Sequence, residues 1–115
     1  MSTQPTPQPR IIFESFEFDP ASGELRRHGR ALRLQGQPAQ ILEALLSQPG
    51  QLVTRESLQQ RIWNGAVSGD FEHGLNAAVN KLRQTLGDSA DEPRFIETVP
   101  GKGYRFAAQA IQPPR

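Results

Sequence analysis

The apolar residues near the middle of the chain repeat at helical spacing, and this repeat constrains the fold more than any other feature. It falls at i, i+3, i+4, i+7 and i+11 and consists of Leu75, Ala78, Val79, Leu82 and Leu86. Residues with this spacing lie along one side of a helix and bury that side against a core. The opposite side then carries His73, Ala77, Asn80, Lys81 and Gln84, with Asn76 and Arg83 on a flank. Such a face is either ordinary solvated surface or a surface that contacts nucleic acid.

The length and composition restrict the classes of protein to consider. A chain of 115 residues forms one domain, and 13 Lys plus Arg against 12 Asp plus Glu leave its net charge near zero. Only a local basic face can therefore support nucleic-acid binding. The absence of cysteine excludes a disulfide scaffold, a thiol nucleophile and a cysteine-based zinc site, and it fits a reducing cytoplasm. Because no membrane span or secretory signal is apparent, we expect a soluble chain.

The two ends differ in composition from the middle. Residues 1–10 are rich in proline and nearly free of large apolar side chains, and residues 112–115 read QPPR. Segments of this kind do not bury enough apolar surface to become ordered. We therefore expect a disordered tail at 1–10, one ordered domain at 11–111, and a linker or tail at 112–115.

The first part of the ordered domain has the pattern of short strands and turns. Phe16 and Phe18 alternate with charged residues, which is typical of a half-buried strand. Turn residues follow, and further strands are predicted at 24–27 and 30–34. The sequence thus predicts a small antiparallel sheet.

Helical patterns follow the sheet. The first predicted helix starts near Pro38 and ends before Pro49-Gly50, and the second runs from an N-cap at Thr54 to about Trp63. The third is capped by Ser68 or Asp70 and ends at Gly87, which occupies a left-handed C-cap position.

The last segment predicts a β-hairpin. Two β-prone runs flank Pro100-Gly101, a pair that suits the central positions of a type II turn, and Lys102 then lies at the hairpin tip.

The sequence contains no pattern that supports an enzyme. Gly101-Lys102-Gly103 lacks the spacing of a phosphate-binding loop and lies between strands, and the two histidines lack metal-site spacing. No serine lies in a nucleophile-elbow motif. We therefore expect no catalytic residues, no cofactor and no metal.

A long helix with a slim polar face beside a hairpin meets the physical needs of a major-groove reader. The amides of Asn76, Asn80 and Gln84 are able to bond base edges, Lys81 is able to donate to guanine, and Arg83 reaches a phosphate from the flank. The alternative is that these side chains form a common solvated helix surface.

Four segments resemble the winged-helix DNA-binding domain of the OmpR/PhoB family. They lie at 50–56, 62–63, 75–88 and 95–106, and they agree with the family in order and spacing. The resemblance extends from Phe16 to Ala108. It implies an α+β winged helix-turn-helix with a four-stranded N-terminal antiparallel sheet, three helices and a C-terminal hairpin wing.

The resemblance implies a transcriptional regulator that binds double-stranded DNA sequence-specifically, with the third helix in the major groove and the wing on the minor groove or backbone. The residues expected to read bases are His73, Asn76, Ala77, Asn80, Lys81 and Gln84. Those expected to contact the DNA backbone are Trp63, Arg83, Thr98, Lys102 and Tyr104. For Trp63 and Tyr104, simple packing on the core stays open as an alternative.

The chain departs from the family pattern at several positions. Many relatives have Arg-Thr where His73-Gly74 stand and a basic residue where Asn80 or Pro100 stands. Ser57 replaces a common acidic residue that would complete a capping box. Because fewer cations make fewer phosphate contacts, we expect weaker and less salt-dependent binding by the isolated domain.

The resemblance also implies partners. Besides double-stranded DNA, these are a second copy bound to a direct repeat and RNA polymerase, whose candidate contact is the loop of Asn64, Gly65, Ala66, Val67, Ser68 and Gly69. That loop is otherwise a plain connector. The order of segments resembles one-component, CadC/ToxR-like regulators, so the chain is expected in the cytoplasm, as part of a larger membrane-anchored regulator or alone. The alternative function is a winged-helix protein-interaction module with little DNA affinity, which the near-neutral charge favours.

Overall fold

A computed structural model describes residues 10–64 and 68–109, with residues 68–70 described by their backbone alone. Both predicted tails lie outside these residues, apart from Arg10, and so do Gly65, Ala66 and Val67 of the predicted loop.

The N-terminal sheet has four antiparallel strands in sequential order. They are β1 (Ile11–Phe13), β2 (Phe16–Asp19), β3 (Glu24–Arg27) and β4 (Arg30–Leu32). Sequence patterns alone predicted only the last three, because β1 is too short to show an alternating pattern. Pairing of Ile11 with Phe18 and of Phe13 with Phe16 adds β1 to the sheet, as the family resemblance implied. The last strand ends at Leu32 rather than Leu34, although Leu34 is buried.

The three helices follow the predicted order. They are α1 (Gln37–Leu46), α2 (Arg55–Trp63) and α3 (Ser68–Leu86), and the short strand β5 (Leu52–Thr54) precedes α2. The predicted N-cap of α2 is confirmed, because the Ser57 N–H donates to Thr54 Oγ1 at 3.0 Å. Gly87 has φ +70°, which confirms the left-handed residue after α3. Ser68, Gly69 and Asp70 lie within α3, so the prediction that Ser68 or Asp70 caps this helix is wrong, and the last two residues of the predicted loop 64–69 are helical.

The C-terminal hairpin is the wing. Its strands are β6 (Ile96–Val99) and β7 (Gly103–Phe106), and β7 lies between β5 and β6 in an antiparallel sheet. The Lys102 N–H donates to the Val99 carbonyl at 3.0 Å, and Gly101 has φ +73°. This geometry agrees with the predicted turn and leaves Lys102 exposed at the tip.

The core joins the helices to both sheets. Every residue of the predicted apolar stripe of α3 is at most 5% exposed. Phe13 of the N-terminal sheet packs against Phe95 and Phe106 at the base of the wing, with ring centroids 5.6 and 5.1 Å apart. The aromatic cluster therefore ties the first and last strands into one core, and the predicted buried face of α3 is confirmed.

Gly103→Ala provides a test of the sheet that holds the wing. A Cβ at Gly103 would lie 2.1 Å from the Val53 carbonyl oxygen and 2.9 Å from Thr54 Cα, so β5 and β7 would have to separate. We expect the free energy of unfolding to fall by about 3 kcal/mol, the upper end for overpacked sites, in a denaturant titration. The control is Gly29→Ala, where a Cβ meets nothing within 4 Å and only the left-handed backbone costs about 1 kcal/mol. Equal losses in the two variants would contradict the close packing at Gly103.

Candidate nucleic-acid interface

The polar face of α3 is exposed, as predicted. All six residues expected to read bases lie on this face: His73, Asn76, Ala77, Asn80, Lys81 and Gln84. The helix also exposes Glu72, but its carboxylate forms an ion pair with Arg55 of α2. The face is therefore rich in amides and carries the Lys81 ammonium, and the Glu72 carboxylate beside it is paired with Arg55.

Arg83 is not on this face, and the prediction that it lies exposed on the flank is wrong. Its side chain is only 8% exposed. The Nη2 atom donates to the Ile96 carbonyl oxygen and to Thr98 Oγ1, each at 2.8 Å. The wheel geometry of an isolated helix leaves this flank open, but the wing strand β6 covers it in the folded domain. Arg83 therefore binds the wing, and its guanidinium is withdrawn from the surface.

Gly74 accommodates the tryptophan at the end of α2. A Cβ at Gly74 would lie 2.9 Å from Trp63 Nε1, and the indole packs edge-on against Phe71 with centroids 5.3 Å apart. The cost of about 1 kcal/mol for glycine in a helix is thus explained by the close approach of the indole. Trp63 is half-buried in this contact, as the packing alternative held, and its contact with a phosphate stays a prediction.

Arg55 is a structural residue that sequence patterns missed. Its guanidinium lies over the Phe71 ring, 5.7 Å from the centroid, and forms the ion pair with Glu72. Its backbone N–H donates to the Lys102 carbonyl oxygen at 3.0 Å. One residue at the start of α2 thus contacts both α3 and the wing tip. No spacing rule links position 55 with 72 or 102, because these contacts exist only after folding.

The wing presents one cation at its tip. Lys102 is exposed and has no ion pair with any described residue, whereas Arg105 on β7 is paired with Glu97, Nε to Oε1 at 2.8 Å. Thr98 is exposed, but its hydroxyl accepts a hydrogen bond from Arg83. Tyr104, directly opposite Thr98, is only 5% exposed, which agrees with the packing alternative.

A metal-binding cluster and a membrane-spanning helix are features that residues 10–64 and 68–109 lack. These residues contain no cluster of three or more His, Asp or Glu side chains placed to hold a metal ion. None of the helices in this part of the chain is long and apolar enough to cross a bilayer.

The sequence is similar to those of bacterial transcriptional activators. It is 30% identical over 102 residues to the cholera toxin transcriptional activator of Vibrio cholerae, covering 86% of this chain and 35% of that protein. It is 26% identical over 105 residues to the transcriptional activator CadC of Escherichia coli, covering 90% of this chain and 20% of that protein. The chain thus spans about a third or less of these two relatives.

The fold matches a solved DNA complex. The DNA-binding domain of Klebsiella pneumoniae RstA, crystallised with the RstA box, superposes with a TM-score of 0.73 at 31% identity, covering 85% of this chain and 96% of that one. In sequence, residues 29–106 match the family described as "Transcriptional regulatory protein, C terminal". With its N-terminal sheet, three helices and hairpin wing, the chain belongs to this OmpR/PhoB-type winged-helix family.

Proposed function

We propose that this domain binds double-stranded DNA sequence-specifically as part of a transcriptional regulator. The observation that carries the proposal is the exposed face of α3, which holds the amides and the lysine that suit base edges. The similar RstA domain was crystallised with its DNA box, and the relatives named above are transcriptional activators. In this proposal α3 enters the major groove and the wing lies on the minor groove or backbone.

The exposed side chains of α3 are the ones that we propose to contact the DNA bases. The major groove is about 12 Å wide and admits one helix. Asn76, Asn80 and Gln84 each present an amide donor and acceptor, a combination that suits adenine, while Lys81 donates to guanine O6 and N7. His73 and Ala77 complete the face, and the small Ala77 side chain lets the helix approach the base edges.

Lys102 at the wing tip is the main residue that we propose to contact the DNA backbone. Its ammonium has no carboxylate among the described residues to compete with a phosphate. Thr98, Trp63 and Tyr104 supply further polar atoms at the wing base and the end of α2, where packing limits what each presents. Arg83 is left out of this set, since the wing already binds its guanidinium.

On α3 and the wing, Lys81 and Lys102 are the exposed lysine and arginine side chains without an ion pair among the described residues, and so few cations at the proposed interface imply modest affinity for one copy of the domain. Two copies on a direct repeat would show a higher apparent affinity when contact between them makes the second binding event intramolecular. We propose that arrangement, in the cytoplasm, with the segment 64–69 as a contact for RNA polymerase.

A salt titration tests whether the domain binds DNA at all. With a random-sequence duplex, we expect binding at low salt that weakens as salt rises, because each phosphate contact releases counterions and adds about 0.9 to the slope of log K against log salt. The slope should be shallow, since Lys102 is the main candidate for such a contact. Absence of binding even at low salt would refute the proposal and favour a protein-interaction module.

Lys81→Ala and Lys102→Ala separate base reading from backbone contact. The base preference of the domain is measured by selecting bound sequences from a random pool. Lys81→Ala should weaken this preference at one position, where the difference in binding free energy between the preferred base and the others should fall by about 1–3 kcal/mol. Lys102→Ala should instead weaken binding to all DNA sequences equally and lower the slope of log K against log salt by about 0.9. Arg30→Ala, which removes an exposed cation from β4, is the control and should do neither. Identical behaviour of the two lysine variants would refute these roles.

A further inference from the structure

Two sets of hydrogen bonds join α3 to the wing strand β6. The first comes from Arg83, which donates from Nη2 to the Ile96 carbonyl and the Thr98 hydroxyl. Both acceptors belong to β6, and the donor lies in the last turn of α3. Hydrogen bonds from a charged donor are stronger than those between neutral groups.

The second set comes from Asp88, just beyond the helix. Its carboxylate accepts from the backbone N–H groups of Arg94, Phe95 and Ile96, at 2.7, 3.3 and 2.9 Å. Its own N–H donates to the Arg83 carbonyl at 2.8 Å. The beginning of β6 is therefore bonded to the residue just beyond α3, and Arg83 bonds the middle of the same strand to the last turn of the helix.

The strand held in this way leads straight to the wing tip. Thr98 is followed by Val99 and by the turn that carries Lys102. Lys102 thus follows Thr98, whose hydroxyl Arg83 binds, by four residues along the chain (98 to 102). A rigid wing reaches the DNA without the entropy cost of being ordered on binding.

We propose that Arg83 is a positioning residue, which holds β6 so that the Lys102 ammonium and the polar face of α3 engage the same duplex. This inference rests on the proposed function. Arg83 acts through the wing, and a direct phosphate contact by its buried guanidinium is the competing explanation. Two other sets of bonds also hold the wing: β5 pairs with β7, and the Arg55 N–H donates to the Lys102 carbonyl oxygen. Either set is an alternative explanation for how Lys102 is kept in place.

A double-mutant cycle distinguishes these explanations. Binding to a random-sequence duplex is measured against salt for the unsubstituted domain, Lys102→Ala, Arg83→Met and the double variant. We expect Lys102→Ala to lower the salt slope by about 0.9 in the unsubstituted background and to have almost no effect in the Arg83→Met background. Amide hydrogen exchange in β6 should also become faster in Arg83→Met without DNA, because the strand loses its side-chain donor.

Three further variants serve as controls. Arg83→Lys keeps the positive charge but lacks the planar guanidinium. If Arg83 positions the wing, Lys102→Ala should lower the salt slope less in the Arg83→Lys background than in the unsubstituted domain. If Arg83 contacts a phosphate directly, Lys102→Ala should lower the slope equally in both. Thr98→Val removes one acceptor and leaves Arg83 intact, so it tests the same link with a smaller change if Arg83→Met unfolds. Arg30→Met removes an exposed cation from β4 and should leave the effect of Lys102→Ala unchanged.

The outcomes are distinct. If Lys102→Ala lowers the slope equally in the unsubstituted, Arg83→Met and Thr98→Val backgrounds, β5 and Arg55 suffice to hold the wing and the inference is wrong. If the unsubstituted domain shows no binding at low salt, the proposed function fails and the inference fails with it.

Discussion

The burial of one side of α3 is the constraint on which the rest of the domain depends. Leu75, Leu82 and the other apolar residues of that side are buried in the single core cluster, and α1 packs against α3. Because the periodicity of a helix is fixed, burying this side determines which residues face outward. The polar surface that we propose for DNA is thus set by the core, and substitutions on it are able to change contacts without changing the fold.

Features that depend on local sequence were predictable. The helix order, the Thr54 cap, the Gly87 reversal and the Pro100-Gly101 turn each follow from a few neighbouring residues, and the structure confirms them. The outward-facing residues of α3 were likewise predictable from spacing alone. The family resemblance supplied the strand β1, whose three residues carry no pattern of their own.

Features that depend on distant contacts were not predictable. Arg83 was assigned to the surface because a helical wheel contains no information about the wing that covers it. Gly74 showed that something approaches α3 closely, but only the folded domain identifies the Trp63 indole. Arg55 offered no signal, since its partners at positions 72 and 102 are far away in sequence. In each case the missing information was which element packs beside which.

The edges of the two sheets have a consequence for behaviour at high concentration. In the part of the chain that the structure describes, the edge strands are β1, β4, β5 and β6, and each contains only three or four residues. Unpaired strand edges are sites at which proteins aggregate, and short edges offer little backbone for another chain to pair with. The two sheets are thus poorly suited to drive self-association by strand pairing.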